Sequence, residues 1–208
     1  MAQPRPRYGC DVPGVQKDKA ALRQQLLAAR SAQSPEDRRE AARLIRDALL
    51  SRPELQMAGT VAAYYSVGAE PGTRALVYAL WKRGTYVLLP RLQPDGDLDW
   101  ASYEGPDSLT TGPRGLQEPT DKARGMEAIA RADVVLVPAL AVDQAGNRLG
   151  RGGGSYDRAL ARVGPLIPVI ALLYDAELLS HVPAEPHDTP VRAAVRPAAG
   201  ITWLPAGI

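Results

Sequence analysis

Phenylalanine is absent from this chain, cysteine occurs once and histidine twice. Without phenylalanine, Leu, Val, Ile, Tyr and Trp must build the core. The lone thiol, Cys10, has no second thiol to pair with, which excludes an internal disulfide and a cysteine-built metal site. Two histidines, His181 and His187, give a histidine-centred catalytic triad little to work with. No apolar run approaches the roughly 20 residues that a membrane helix needs. The opening Met-Ala-Gln-Pro-Arg-Pro-Arg-Tyr also lacks the apolar core of a signal peptide, so a cytoplasmic protein is expected. Charge of one sign is nowhere concentrated: 25 basic and 23 acidic residues leave a formal net charge of +2. Nucleic acid, which would demand a basic stripe, is therefore not an expected partner. No internal repeat is visible.

What is present is an ordinary globular composition, 45% hydrophobic and 23% charged over 208 residues. That length suits one domain able to bury about 70% of its unfolded surface. Residues 1–14, rich in proline and glycine, read as a disordered tail, and residues 15–208 as a single domain. Helical spacing appears from Gln16 to Arg30, with Leu22, Leu26 and Ala29 on one face and Lys17, Lys19, Arg23 and Arg30 around the rest. Ser34-Pro35-Glu36-Asp37 is a capped helix start, followed by an apolar stripe of Ala41, Leu44, Ile45, Ala48 and Leu49. Strands are expected at Thr60–Tyr65, at Tyr86–Leu89 (stopped by Pro90), at Val134–Val137 and at Ile167–Leu173. A weaker one is expected at Val191–Val195. Between the first two, Pro71 opens a helix carrying Leu76, Val77, Leu80 and Trp81 inward. Residues 93–121 form an irregular insert in which Leu98–Tyr103 alternates like an edge strand. This order predicts an α/β fold, a three-layer α/β/α domain with a mainly parallel, mixed sheet. Ligands of such sheets bind beyond the carboxyl ends of the strands. Glu70, Arg91, Asp175 and a glycine-rich loop all follow strands directly and are candidates for one rim.

That loop is the most distinctive stretch. Asn147-Arg148-Leu149-Gly150-Arg151-Gly152-Gly153-Gly154-Ser155-Tyr156-Asp157-Arg158 holds four glycines among twelve residues, with arginines at 148, 151 and 158. Glycine lets a backbone turn with positive φ and approach a ligand closely. Free N–H groups at a helix start, with fixed positive charge, make an anion site, most often for phosphate. The pattern is neither a Walker loop nor a clean Gly-x-Gly-x-x-Gly, because Ser155 stands at the last glycine's place. A solvated basic surface loop is the plainer alternative.

The loop resembles the signature of the 5-formyltetrahydrofolate cyclo-ligases, also called 5,10-methenyltetrahydrofolate synthetases. Supporting stretches follow in the family's order: Lys19-Ala20-Ala21-Leu22-Arg23, Gly68-Ala69-Glu70-Pro71-Gly72-Thr73, Leu89-Pro90-Arg91, Gly115–Pro119, Val137-Pro138 and Glu185-Pro186-His187-Asp188. The resemblance implies ATP- and magnesium-dependent conversion of 5-formyltetrahydrofolate to 5,10-methenyltetrahydrofolate. The formyl oxygen is phosphorylated, the ring closes, and ADP and phosphate leave. It also implies ATP contacts from Lys19, Ala20, Ala21, Leu22 and Arg23 and from Arg148, Leu149, Gly150, Arg151, Gly152, Gly153, Gly154, Ser155 and Tyr156. Substrate contacts are implied for Tyr65, Glu70, Arg151, Gly152, Gly153, Gly154 and Ser155, and magnesium ligation for Asp157 and Asp188. Arg148 and Tyr156 carry the catalytic roles, and a monomer acting on small molecules is expected. By spacing alone, Lys19 and Arg23 read as a solvated helix face, Glu70 and Asp157 as helix-start acids, and His187-Asp188 as a polar turn. The family carries two adjacent tyrosines where this chain has Ser155-Tyr156. Other readings are a sugar-phosphate isomerase or coenzyme A transferase on a similar sheet, and a non-catalytic nucleotide- or folate-binding protein. As a loop residue, Arg148 is expected to be removable without loss of fold.

Overall fold

A computed structural model describes residues 13–205 of the chain. Of the expected tail at 1–14, residues 1–12, with Cys10, lie outside those residues, whereas Pro13 and Gly14 already belong to the first helix. The chain opens with helices α1 (Pro13–Ala32), α2 (Pro35–Leu50) and the short α3 (Pro53–Gln56), then enters strand β1 (Thr60–Ala62). Helix α4 (Arg74–Lys82) leads to β2 (Tyr86–Leu92) and β3 (Leu98–Ser102), and the insert folds into a hairpin of β4 (Leu109–Thr111) and β5 (Gln117–Pro119). Next come β6 (Val134–Pro138), β7 (Ala141–Asp143), β8 (Arg148–Leu149), helix α5 (Ser155–Leu160) and β9 (Val169–Leu172). The chain closes with β10 (Leu178–Leu179), β11 (Ala193–Arg196) and β12 (Gly200–Trp203).

The main sheet has seven strands in the order β12-β11-β9-β6-β1-β2-β3. The inner strands run parallel, whereas β2–β3 and β11–β12 pair antiparallel, so the sheet is mixed as expected. Alternate residues along each strand bury on opposite faces. Val61, Val87, Val134, Leu136 and Ile170 pack with Ile45 and Leu49 of α2 and with Leu76, Val77 and Leu80 of α4. Ala62, Leu88, Val135, Val137 and Ala171 pack on the other side with Ile129, Ala159 and Leu160. These are the three layers. In the absence of phenylalanine, Trp100 and Tyr103 are the bulkiest side chains wholly withdrawn from solvent, and Trp81 meets Tyr103 edge-on at 5.9 Å.

Three sequence expectations change. Pro90 does not stop β2, because Leu88 and Pro90 face β1 and β1 has already ended; Ala63 N–H, bonding Leu88 O at 2.9 Å, is the last rung there. The missing proline N–H therefore breaks no ladder, while the other edge continues to pair with β3 through Leu92. Helix α4 starts at Arg74 rather than Pro71, since Thr73 is held in the preceding loop: its Oγ1 donates to Tyr64 O and accepts from Ser66 N–H. In α1, the polar face turns inward. Lys19, Leu26 and Arg30 are buried and Ala29 is exposed, with the apolar part of this face covering Leu140, Ala141 and Leu149.

Candidate active site

Asp143 sets the approach to the glycine-rich loop. Its Oδ1 accepts the backbone N–H groups of Ala145 and Asn147, and its Oδ2 accepts from the Asn147 side chain and from Val182 N–H, at 2.9–3.0 Å. These bonds close the β7–β8 turn, in which Gly146 has φ +87° and approaches Val191 O too closely for any Cβ. The chain leaves β8 through Gly150–Gly154, with Gly152 at φ +98° and Gly154 at φ +66° as the N-cap of α5. Side chains resist these torsions, so the glycines fix the loop's path.

The loop forms one wall of a pocket of about 420 Å³ at the carboxyl ends of β6, β1 and β2. Lys19, Arg23, Tyr65, Glu70, Arg148 through Asp157, and Asp188 all line it, drawn from segments far apart in sequence. Ala20, Ala21 and Leu22 do not: the two alanines face solvent, and Leu22 packs beside Leu26. Arg91 and Asp175 also leave the rim, Arg91 reaching Asp121 O and Asp175 accepting from Ala198 N–H. Trp100 is a core anchor, fully buried. Sequence reasoning missed Arg30, Tyr64, Pro90, Leu92, Arg114 and Gln117 as lining residues. Of these, Pro90 and Gln117 fell within the family-like stretches without being assigned to the site, and Arg30 fell on the Lys19–Arg23–Leu26 face at helical spacing.

Most of the charges in the pocket are paired. Lys19 Nζ lies 2.6 Å from both Glu185 Oε2 and Asp188 Oδ2. Burial alone would lower the Lys19 pKa, but the hydrogen bonds and charges of Asp188 and Glu185 prevail and raise it. Arg23 Nε donates to Gly150 O at 2.9 Å, tying α1 to the loop. Arg30 grips Glu177 with Nε and Nη2, at 2.6 and 2.7 Å, and donates to Ala139 O. Arg151 reaches across the cleft to Glu70, at 3.3 Å, while the other Glu70 oxygen accepts Val67 N–H. Tyr65 stacks under the Arg74 guanidinium at 5.2 Å.

Arg148 is not a solvated loop residue. It sits in β8 at 6% exposure, paired with Asp157 at 2.7 Å and 5.9 Å from the centre of the Tyr156 ring. The expectation that it can be removed without harm to the fold is therefore corrected: its loss leaves a largely enclosed carboxylate unpaired. Burial, with the Glu70 charge behind it, pushes the Tyr156 phenol well above its ordinary pKa, and Arg148 only partly opposes this. Tyr156 is therefore held in its neutral form.

A glycine-walled, arginine-rich cleft at the carboxyl ends of parallel strands is the place where α/β enzymes acting on anionic substrates bind their ligands. The family model described as the 5-formyltetrahydrofolate cyclo-ligase family matches residues 15–197. The chain belongs to that family. It is 45% identical over 150 residues to the 5-formyltetrahydrofolate cyclo-ligase of Mycolicibacterium smegmatis, covering 70% of this chain and 77% of that protein. It is 32% identical over 181 residues to the enzyme of the same name from Escherichia coli K12, covering 84% and 97%. The solution structure of Aquifex aeolicus 5,10-methenyltetrahydrofolate synthetase superposes with a TM-score of 0.78 at 28% identity, over 91% of this chain and 94% of that one. No helix among the described residues is long and apolar enough to cross a membrane.

Proposed function

We infer that this chain is an ATP-dependent 5-formyltetrahydrofolate cyclo-ligase whose chemistry takes place in the cleft between the glycine-rich loop and Glu70. Family membership supports the reaction. The observation that carries the siting is the convergence of Lys19, Arg23, Glu70, Arg148 through Asp157 and Asp188 on one pocket. A formamide oxygen is a poor leaving group. Transfer of the γ-phosphoryl of ATP to that oxygen gives ADP and an iminium phosphate. N10 of the folate then attacks the formyl carbon, the carbon–oxygen bond breaks, phosphate departs and N10 loses its proton.

The protein's work is positioning and charge neutralisation, as in phosphoryl transfer generally. Backbone N–H groups of Gly152–Gly154 and the guanidinium of Arg151 face the phosphates, and Arg23 holds the loop at Gly150. Glu70 accepts from the donor edge of the pterin. Arg151 moves from Glu70 toward the transferring phosphoryl once the folate occupies that carboxylate. Tyr156 donates its retained proton, in a hydrogen bond, to an oxygen of the folate or phosphate. Asp157 and Asp188 fit a magnesium ion, which would screen the triphosphate charge. Each engages one carboxylate oxygen with a cation, Arg148 or Lys19, while Asp157 Oδ2 has no hydrogen-bond partner among the described residues. Magnesium needs only one or two carboxylates beside phosphate and water. The test is to mix protein, ATP, magnesium and 5-formyltetrahydrofolate and follow the methenyl absorbance with ADP. One ADP per methenyl group is expected. Nucleotide binding without turnover would favour a non-catalytic protein, and no nucleotide binding at all an isomerase- or transferase-like one.

A further inference from the structure

Five cations on the pocket wall are already engaged: Lys19, Arg30, Arg148 and Arg151 face carboxylates, and Arg23 a carbonyl. Arg114 differs. It lines the same pocket, yet among the described residues it has neither an ion-pair nor a hydrogen-bond partner. It is also the one non-glycine residue there with positive φ, at +57°. A side chain held in the left-handed region is costly, and such outliers concentrate where a ligand is clamped.

Its place follows from the order of the strands. Along the sheet edge, β6 leads toward the glycine-rich loop, β1 toward Glu70, and β2 ends at Leu92. Beyond β2, the β4–β5 hairpin carries Arg114 at its turn. It is fastened by buried Glu118, whose Oε1 accepts Leu92 N–H at 2.8 Å. Pro90, Leu92, Leu98 and Leu116 line the cleft between Glu70 and that turn. The sequence of surfaces is thus phosphate loop, acid, apolar walls, cation. A reduced folate presents the matching series: the reacting formyl group on the pterin, the pterin's donor edge, an aromatic ring, and a glutamate with two carboxylates.

We propose that Arg114 is a specificity-determining residue that binds the glutamate carboxylates at the end of the folate. This rests on the cyclo-ligase reading above. A guanidinium suits a carboxylate because it offers two parallel N–H donors, and an unpaired one has no competing partner to give up.

The test compares 5-formyltetrahydrofolate with 5-formyltetrahydropteroate, which lacks the glutamate, in the wild type and in Arg114→Gly. Glycine adopts φ +57° freely, so the hairpin keeps its turn. The readout is the ratio of kcat/KM for the two substrates, which does not depend on the fraction of active protein. The wild type is expected to prefer the glutamate-bearing substrate by about two- to fivefold, the range for one solvent-exposed charge-assisted contact. Arg114→Gly should bring the ratio to near one, and Arg114→Lys should restore part of it. An unchanged ratio in Arg114→Gly would overturn the assignment. So would equal losses on both substrates. If the wild type forms no methenyl product from either substrate, the cyclo-ligase reading itself fails, an outcome separate from turnover of both without tail preference.

Discussion

Replacing Arg148 by alanine should cost the protein stability as well as activity. The guanidinium is 6% exposed as a residue, donates to Asp157 Oδ1 at 2.7 Å and lies near Pro138 O. Removing one partner of a buried ion pair costs about 3–5 kcal/mol, because the other charge is left without compensation. The Asp157 side chain is 19% exposed and keeps a long contact from Thr189 N–H. Water therefore recovers part of the loss, which puts the cost at about 2–3 kcal/mol. For a domain of this size that lowers the melting temperature by roughly 5–10 °C. Urea and thermal unfolding followed by circular dichroism measure it. The Arg148→Ala/Asp157→Ala double variant should recover about 1 kcal/mol over the single one, since no orphan carboxylate remains. A single variant that melts within a degree of wild type would refute the reasoning. So would a double variant that is no more stable than the single.

Glu70→Gln should raise KM for 5-formyltetrahydrofolate more than KM for ATP, because the carboxylate lies on the β1 side of the cleft; steady-state kinetics with each substrate varied checks this, and the reverse pattern reassigns the residue. Gly154→Ala should cost about 1 kcal/mol in urea unfolding, the penalty for a side chain at φ +66°, and raise KM for ATP by moving the loop; unchanged values of both would show that the turn tolerates a Cβ. The pH dependence of the Lys19 clamp has a definite sign. The raised Lys19 pKa gives stability that is fully present below the ordinary 10.5 and lost as pH climbs through the folded value. Glu185 is lowered, first by its hydrogen bond from Lys19, so its share is present above 4.5 and lost as pH falls through the folded value. The stability difference between wild type and Lys19→Met should therefore be flat between pH 4.5 and 10.5 and shrink outside that window. A midpoint near neutrality would contradict the clamp.

Local chemistry was readable wherever a residue's partner is near in sequence. Ser34 caps α2 by accepting Asp37 N–H, and three members of the expected stripe, Ala41, Ile45 and Leu49, are its buried residues. The glycine-rich loop announced itself because its torsions demand glycine whatever lies around it. What spacing misassigned was decided at long range. Lys19 and Arg30 looked like solvent-facing charges, yet their carboxylates come from Glu185 and Glu177, 166 and 147 residues away. The same holds for Arg148, which local sequence places in a loop and pairing with Ala141–Val142 places in a strand. Strand β12 went unread because Gly200–Trp203 is short and only partly buried. The pocket wall that carries Arg114 was hidden in an irregular insert whose hairpin is tied to β2 by the hydrogen bond from Leu92 N–H to Glu118. Resemblance supplied Glu70 and Asp188 as site residues; on spacing alone, both read as ordinary turn or capping acids.

The central claim is that ATP activates the formyl oxygen in the cleft between the glycine-rich loop and Glu70. It is tested most directly by turning over 5-formyltetrahydrofolate labelled with ¹⁸O in the formyl group and weighing the released phosphate. One labelled oxygen in each phosphate is the predicted result, because the carbon–oxygen bond breaks after phosphorylation. Unlabelled phosphate, with the isotope in water or retained on the folate, would contradict it.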